Sequence, residues 1–296
     1  MPKEQKVLVI IGPTASGKSA LAVELSKKLI GEVISADSRQ VYTGLDIGTG
    51  KVTKKEMKGV RHHLLDVASA KKSFTANDFI RLGEKAIDDI ARRGKLPIVC
   101  GGTGFYIDAL LGQIELSDVE PNLALRKKLK NKKAEELLKM LQKRDKKRAA
   151  AMNESDRHNP VRLIRALEIA SHKKTAPRPV AKRKYDALWI GIAPDAKTLR
   201  DKIHKRLLAR MKTGMVKEAQ KLHKAGLAWK RMEELGLEYR YLALYLQKKI
   251  SKEEMLQQLE HRIWQYSKRQ MTYWRRNKDI QWFKDAGEAF LTLVAK

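Results

Sequence analysis

Two hydrophobic spacings alternate along the first third of the chain. Val7-Leu8-Val9-Ile10-Ile11 is an unbroken, largely β-branched apolar run, the pattern of a strand buried on both faces. From Ser19 to Leu29 apolar residues recur at helical spacing. A second short strand reads from Glu32 to Ala36 and ends at Asp37. Thr75-Ala76-Asn77-Asp78 carries a hydroxyl and, three residues on, an acid, which marks a helix start. Phe79, Leu82, Ala86, Ile87 and Ile90 then give that helix one apolar face, and Gly94 stops it. Leu96 to Cys100 is the next strand, and a helix follows from Phe105. Strand alternating with helix predicts an α/β protein with a parallel sheet, helices on both faces and a site at the carboxyl ends of the strands.

The pattern changes near Gly112. Residues 114–185 show little strand periodicity and much basic helix, with Ala134, Leu137, Leu138 and Leu141 as a packing stripe. The segment closes on a Pro- and Lys-rich stretch, Lys173 to Lys184. Strand pattern returns from Ala187 to Ile192, the chain is then mainly helical to Asn277, and Ile280 to Phe283 reads as a last strand. The expected organisation is a core built from residues 1–113 and 186–296, interrupted by a small helical insertion at 114–185.

The turn between the first strand and helix adds chemistry. Gly12-Pro13-Thr14-Ala15-Ser16-Gly17-Lys18-Ser19 is a phosphate loop (P-loop) in its confirming context of strand, glycine-bounded loop and helix. Backbone N–H groups and the positive helix end converge there, Lys18 supplies a mobile charge, and the Ser19 hydroxyl can sit on Mg²⁺. The loop is built for a di- or triphosphate. Asp37-Ser38-Arg39-Gln40-Val41-Tyr42 leaves the second strand. An acid there can order magnesium, act as a general base, or simply cap a turn, and Arg39, Gln40 and Tyr42 suit contact with a nucleobase. Gly101-Gly102-Thr103-Gly104 follows the third strand and permits close backbone approach to a ligand. It lacks the acid that an ordinary NTPase often carries at this point. Asp37, Thr103 and the phosphate loop should meet in space.

Composition changes the picture twice. Lysine and arginine number 63 against 34 acids, a formal charge of +29, which points to a polyanion such as nucleic acid. Twelve of these cations against three acids fall between Arg126 and Arg148. A single cysteine, Cys100, excludes an internal disulfide and a cysteine metal cluster and fits a reducing cytosol. In that strand it reads as a small hydrophobe. There is no membrane-length apolar run and no signal-peptide layout, so a cytoplasmic protein is expected. His62 and His63 are adjacent, a poor metal pair and better hydrogen-bonding groups. His261 to Arg276 interleaves bases with Trp264, Tyr266, Tyr273 and Trp274. That mixture fits either single-stranded RNA or a core helix with a solvated basic face, since Ile263, Ser267, Gln270 and Trp274 share one side.

Taken together, these segments resemble one family, the bacterial tRNA dimethylallyltransferases (tRNA isopentenyltransferases). The phosphate loop, Asp37 to Tyr42, Leu45-Asp46-Ile47-Gly48-Thr49-Gly50-Lys51, His62 to Asp66, Gly101 to Tyr106, Arg162-Leu163-Ile164-Arg165-Ala166-Leu167-Glu168 and Lys268 to Trp274 occur in the family's order over most of the chain. The resemblance implies transfer of a dimethylallyl group from dimethylallyl diphosphate to N6 of the adenosine 3′-adjacent to the anticodon, with Mg²⁺ as cofactor. It implies Asp37, Thr103 and Lys18 as catalytic residues. It implies diphosphate contacts from Gly12, Thr14 to Ser19 and, by its place in Ile203-His204-Lys205-Arg206, Arg206. Contacts to the tRNA anticodon stem-loop would come from Asp37, Ser38, Arg39, Gln40, Thr103 and from Val161, Arg162, Leu163, Ile164 and Arg165. The enzyme is expected to act as a monomer, with the insertion gripping tRNA. The chain departs from the family at Val161, where glutamine is usual, and at Val52, where proline is common. The residues alone leave two other readings: a P-loop kinase of a small alcohol or nucleotide, and a non-catalytic RNA-binding NTPase.

Overall fold

A computed structural model describes residues 4–114, 116–117, 119–172 and 185–295. The chain forms two compact units, Met1–Ile114 with Lys182–Lys296, and Glu115–Ala181. The Pro- and Lys-rich stretch 173–184 lies outside the described residues.

The first unit begins with β1 (Gln5–Ile11), α1 (Lys18–Lys28), β2 (Gly31–Ala36), β3 (Tyr42–Thr43), α2 (Lys54–Met57), β4 (His62–His63), β5 (Ala68–Ser69), α3 (Ala76–Arg92), β6 (Leu96–Gly101) and α4 (Gly104–Leu110). Its central sheet runs β4-β2-β6-β1 and continues through β7 (Tyr185–Ile192) to β8 (Ile280–Phe283), every pairing parallel. Period-two alternation divides each strand between two cores. Val7, Val9 and Ile11 face one layer with Phe79, Ile87 and Ile107 of α3 and α4. Leu8 and Ile10 face the opposite layer with Leu21 and Leu25 of α1. That double burial is why β1 is apolar at every position from Val7 to Ile11. Thr75 caps α3 in a reciprocal capping box with Asp78.

Within the second unit the described helices are α5 (Leu123–Leu129), α6 (Ala134–Arg144), α7 (Lys146–Ala151), α8 (Glu154–Arg157) and α9 (Pro160–Ser171). Leu137 and Leu141 of the expected stripe join Leu129, Leu163 and Leu167 in a core of its own. Glu168, buried there, accepts from Arg126 Nε at 2.6 Å, Arg165 Nη1 at 3.0 Å and the Asn122 N–H at 2.9 Å. Those donors outweigh the desolvation that would raise its carboxyl, and hold it below the ordinary range.

After β7 the first unit is completed by α10 (Ala196–Lys212), α11 (Met215–Lys224), α12 (Trp229–Leu235), α13 (Leu237–Leu246), α14 (Lys252–Trp274) and, beyond β8, α15 (Ala286–Val294). Helices α10 to α14 and the β3–β5 ribbon share a third core around Leu45, Leu207, Met232, Tyr239 and Leu259, while α15 packs with α1 through Ala289. Tyr42 belongs to that third core, only 2% exposed, and its hydroxyl oxygen accepts the Phe74 N–H at 3.0 Å. Stacking of Tyr42 on a base is therefore corrected: its strand position turns the ring inward. No helix of the described residues is long and apolar enough to cross a membrane.

Candidate active site

Three loops leave the carboxyl ends of the neighbouring strands β1, β6 and β2 and border one pocket of about 220 Å³. Thr14, Lys18 and Ser19 come from the first loop, Gly101 from the second, and Asp37, Ser38, Arg39 and Gln40 from the third. This is the edge where parallel α/β sheets place ligands.

The phosphate loop is shaped by backbone conformation. Gly17 stands at the N-cap of α1 with φ +99°, where a side chain would strain the turn. No side chain caps the helix and no acid lies in its first turn, so its amides stay open to an anion. Ala15 also has a positive φ, +64°, and packs on the core behind the loop. Gly12 lies where a Cβ would come within 2.7 Å of the Ile192 carbonyl. The Ser16 hydroxyl is buried without a hydrogen-bond partner among the described residues. Lys18 Nζ donates to the Pro13 carbonyl at 3.1 Å. Burial lowers its ammonium pKa, Cys100 and Asp37 oppose the fall, and Arg206 adds to it. An anionic ligand at this point would offset that desolvation.

Arg206 comes from α10, far away in sequence, and lines the same pocket. Its Nη1 lies 3.5 Å from Thr14 Oγ1 and its Nη2 donates to the Gly50 carbonyl at 2.9 Å. Burial and the neighbouring Arg210 lower its pKa. The pocket thus concentrates two cations, Lys18 and Arg206, at the open end of a helix.

Asp37 serves two needs. Its Oδ1 accepts the N–H groups of Arg39 at 2.8 Å and Gln40 at 3.2 Å, which closes the turn. Among the described residues Oδ2 takes no hydrogen bond, and the side chain lines the pocket. Thr103 stands behind this turn: its Oγ1 accepts the Ser38 N–H at 3.1 Å. Cys100 is buried at the pocket, its thiol 3.6 Å from the Lys18 carbonyl, and burial pushes it up to about 11, so it is a neutral hydrophobe and no nucleophile. His63 bonds to Glu32 at 2.8 Å and His62 to the Val60 carbonyl at 2.9 Å, hydrogen-bonding roles for both, although His62 also lines the pocket.

Tyr266 and Gln270 of α14 form a wall that sequence reasoning did not assign. Burial, and next the charge of Asp37, push the Tyr266 phenol well above its usual range, so it stays protonated. The buried side of α14 is the expected face of Ile263, Ser267, Gln270 and Trp274. That settles the helix as core on this side, with Arg200 and Lys268 over the Trp264 ring on another.

The residues Val161 to Arg165 do not form one surface. They run consecutively along α9, and consecutive helical positions point around the axis. Val161 is 76% exposed, whereas Leu163 is fully buried in the unit's own core and offers no side-chain surface to RNA. Ile164 packs on that core. Arg162 is paired with Asp156, and Arg165 donates to Glu168 and to the Val119 carbonyl at 2.6 Å.

Ser19 is the residue here that could hold Mg²⁺. Among the described residues no three acids, histidines or cysteines gather as a metal cage. One hydroxyl beside a phosphate site, with ligand oxygens and water completing the shell, is the sparse protein share that Mg²⁺ accepts.

A phosphate loop with Lys18 and Arg206, and the Asp37 carboxylate, opening on one pocket at a parallel-sheet edge are the features of a P-loop enzyme. A model of the IPP transferase family matches residues 40–277. A tRNA dimethylallyltransferase 2 of Treponema denticola is 45% identical over 275 residues, covering 91% of each chain. Another of Shewanella sediminis is 41% identical and covers 97% of this chain and 96% of its own. The crystal structure of the full-length tRNA isopentenylpyrophosphate transferase of Bacillus halodurans superposes with a TM-score of 0.74 at 34% identity, covering 99% of this chain and 95% of that one. A eukaryotic dimethylallyltransferase acting on tRNA gives a TM-score of 0.79 at 26% identity, over 95% of this chain and 74% of that one. The chain belongs to the IPP transferase family.

Proposed function

We propose that the protein transfers a dimethylallyl group from dimethylallyl diphosphate to N6 of the adenosine 3′-adjacent to the anticodon of tRNA. The N6–C1 bond forms, the C1–O bond to diphosphate breaks, and one N6 proton passes to a base. The observation that carries this reading is the pairing of a phosphate site with an acid, Asp37, on one pocket, in a chain whose close relatives are tRNA dimethylallyltransferases.

In this reading the amides at the start of α1, Lys18 and Arg206 hold the diphosphate and stabilise the charge that grows on it as the C–O bond breaks. Ser19 would hold Mg²⁺ at this site, and the ion would add to the neutralisation of the leaving group. Asp37 Oδ2 takes the N6 proton, while Oδ1 keeps the carboxylate oriented through the Arg39 and Gln40 amides. Ser38 to Gln40 line the pocket where an adenine lifted from its stack would enter. Thr103 holds the Ser38 end of that turn. The basic second unit supplies long-range attraction to tRNA.

The test is incubation with unmodified tRNA and labelled dimethylallyl diphosphate, with labelled ATP in parallel. Label is expected to enter tRNA from the first donor only. Asp37→Asn should keep tRNA binding and lose turnover by about 10²–10⁴-fold, the share of a missing general base. Transfer of phosphate from ATP, or less than tenfold loss in Asp37→Asn, overturns the reading of reaction or base respectively.

A further inference from the structure

We propose that Gln270 is a positioning residue for the transfer, its carboxamide setting the spacing between the phosphate loop and the Asp37 turn. The inference rests on the function proposed above. It starts from the order of strands. β6 lies between β2 and β1, so the Gly102–Thr103 turn stands between the two loops that carry the reacting partners.

Gln270 reaches this point from α14, more than 160 residues away along the chain from either partner. Its Oε1 accepts the Thr14 N–H of the phosphate loop at 2.9 Å. Its Nε2 donates to the Gly102 carbonyl at 3.0 Å. One residue on, Thr103 Oγ1 accepts the Ser38 N–H at 3.1 Å, and the Thr103 N–H donates to the Ala36 carbonyl at 3.2 Å. The donor loop, the middle turn and the base-bearing turn are thereby stitched in series.

Only a carboxamide of this length completes the series. Thr14 N–H is solely a donor and the Gly102 carbonyl solely an acceptor, so the amide orientation is fixed by its partners. The side chain is 6% exposed, so water cannot substitute freely for either bond. A Cβ on Gly102 would run into the carboxamide, which ties the glycine at that position to the glutamine. Glutamate would keep the acceptor and, ionised, lose the donor. Methionine would fill the space and lose both. The reaction requires C1 and N6 near contact distance and in line, and a misplacement of about 1 Å can lower a rate about 10²-fold.

The experiment compares wild type, Gln270→Met and Gln270→Glu as full chains with unmodified tRNA, well below each protein's unfolding temperature. Single-turnover transfer is expected to fall about 30- to 100-fold in Gln270→Met and at least tenfold in Gln270→Glu. The Kd values for dimethylallyl diphosphate and tRNA should each stay within about threefold. A rate within threefold of wild type in both variants overturns the proposal. So does a loss that appears wholly in donor affinity, because Gln270 then acts on binding. Should Gln270→Met fail to fold, Gln270→Glu decides on the same criteria, and failure of both to fold assigns the residue to stability alone. Absence of transfer by the wild type would instead count against the proposed function, and the inference would fall with it.

Discussion

The Tyr239 hydroxyl donates to the Glu218 carboxylate at 2.7 Å, and the same carboxylate closes the end of a loop beside the pocket. Glu218 Oε2 accepts the N–H groups of Asp46 at 3.0 Å and Ile47 at 2.7 Å, and Oε1 that of Gly48 at 2.9 Å. Burial first, then the Glu218 charge, drive the Tyr239 phenol far above its ordinary range, so it remains a donor. Two residues past this anchor the Gly50 carbonyl takes Arg206 Nη2. Glu218 therefore braces the loop whose Gly50 carbonyl accepts from Arg206.

Replacing it tests that link. Glu218→Gln puts an amide in place of an oxygen that faces backbone N–H groups, and the loop must shift. KM for dimethylallyl diphosphate is expected to rise about tenfold with little change in KM for tRNA, since one charge-assisted contact is worth roughly 1.5–3 kcal/mol. Steady-state kinetics varying each substrate in turn provide the check. Equal effects on both substrates would mean a general loss of packing.

Lys18→Ala removes the enclosed ammonium that faces the phosphate site. Donor use is expected to fall by about 10²-fold or more in kcat/KM, as for other groups aimed at developing charge. tRNA affinity should not change. ATP, added as a competitor to wild type, should inhibit weakly, because Leu235, Leu237 and Ile263 give the pocket an apolar surface that suits a short allyl chain. Potent inhibition by ATP, or its consumption with a small acceptor, would move the assignment to a kinase.

Much of this site is legible in the sequence, because its parts follow strand ends. The runs at Val7, Glu32 and Leu96 show apolar strands, and each is followed by its chemistry within a few residues: the phosphate loop, Asp37 and Thr103. The order β4-β2-β6-β1-β7-β8 is not legible, since periodicity reports burial and not neighbours. β3, β4 and β5 have two residues each, too few for any period to show. Gln270 did leave a signal: a glutamine on a face otherwise made of core residues needs buried hydrogen-bond partners. What could not be read was that those partners are Thr14 and Gly102. The consecutive run Val161–Arg165 misled for the opposite reason, because a segment match says nothing about which helical face a residue takes.

Glu32 gives a pH-dependent contribution away from the chemistry. It is buried near the start of β2 and accepts from Arg93, from Lys95 at 2.9 Å and from His63 at 2.8 Å. The Arg93 hydrogen bond is the main reason its carboxyl lies far below the ordinary 4.5, with burial opposing and Lys95 and His63 assisting. The folded pKa is below the unfolded one, so the stabilisation is complete above the unfolded value and is lost as pH falls towards the folded value. Glu32→Gln is expected to lower stability at pH 7 by roughly 1–3 kcal/mol, the range for a buried, charge-assisted hydrogen-bonded group. The loss should shrink below about pH 4.5, where the unfolded wild-type carboxyl protonates. Urea melts at pH 7, 5 and 3.5 measure this, and a pH-independent difference would assign the effect to packing.

The second unit carries its charge on surfaces that its core does not use. Leu137 and Leu141 turn α6 inward, which leaves Lys139 and Lys143 exposed, as are Lys127 and Lys130 around α5. Among the described residues none of these four makes an ion pair, unlike Lys132 with Glu136 and Arg148 with Asp145. Reversing Lys127, Lys130, Lys139 and Lys143 to glutamate should therefore leave the fold intact, since surface changes of this kind shift stability by about 0.5 kcal/mol or less apiece. tRNA binding should weaken, and the slope of log K against log salt should flatten by about three to four when all four lysines meet phosphate, because each lost phosphate contact removes about 0.7–0.9 from it. The affinity for dimethylallyl diphosphate, measured without tRNA, should not move, since the phosphate loop, Asp37 and Arg206 all belong to the other unit. Binding curves at several salt concentrations decide it. An unchanged slope would make these lysines a solvated surface. It would move the RNA grip to the basic and aromatic side of α14, where Arg200 and Lys268 lie against Trp264.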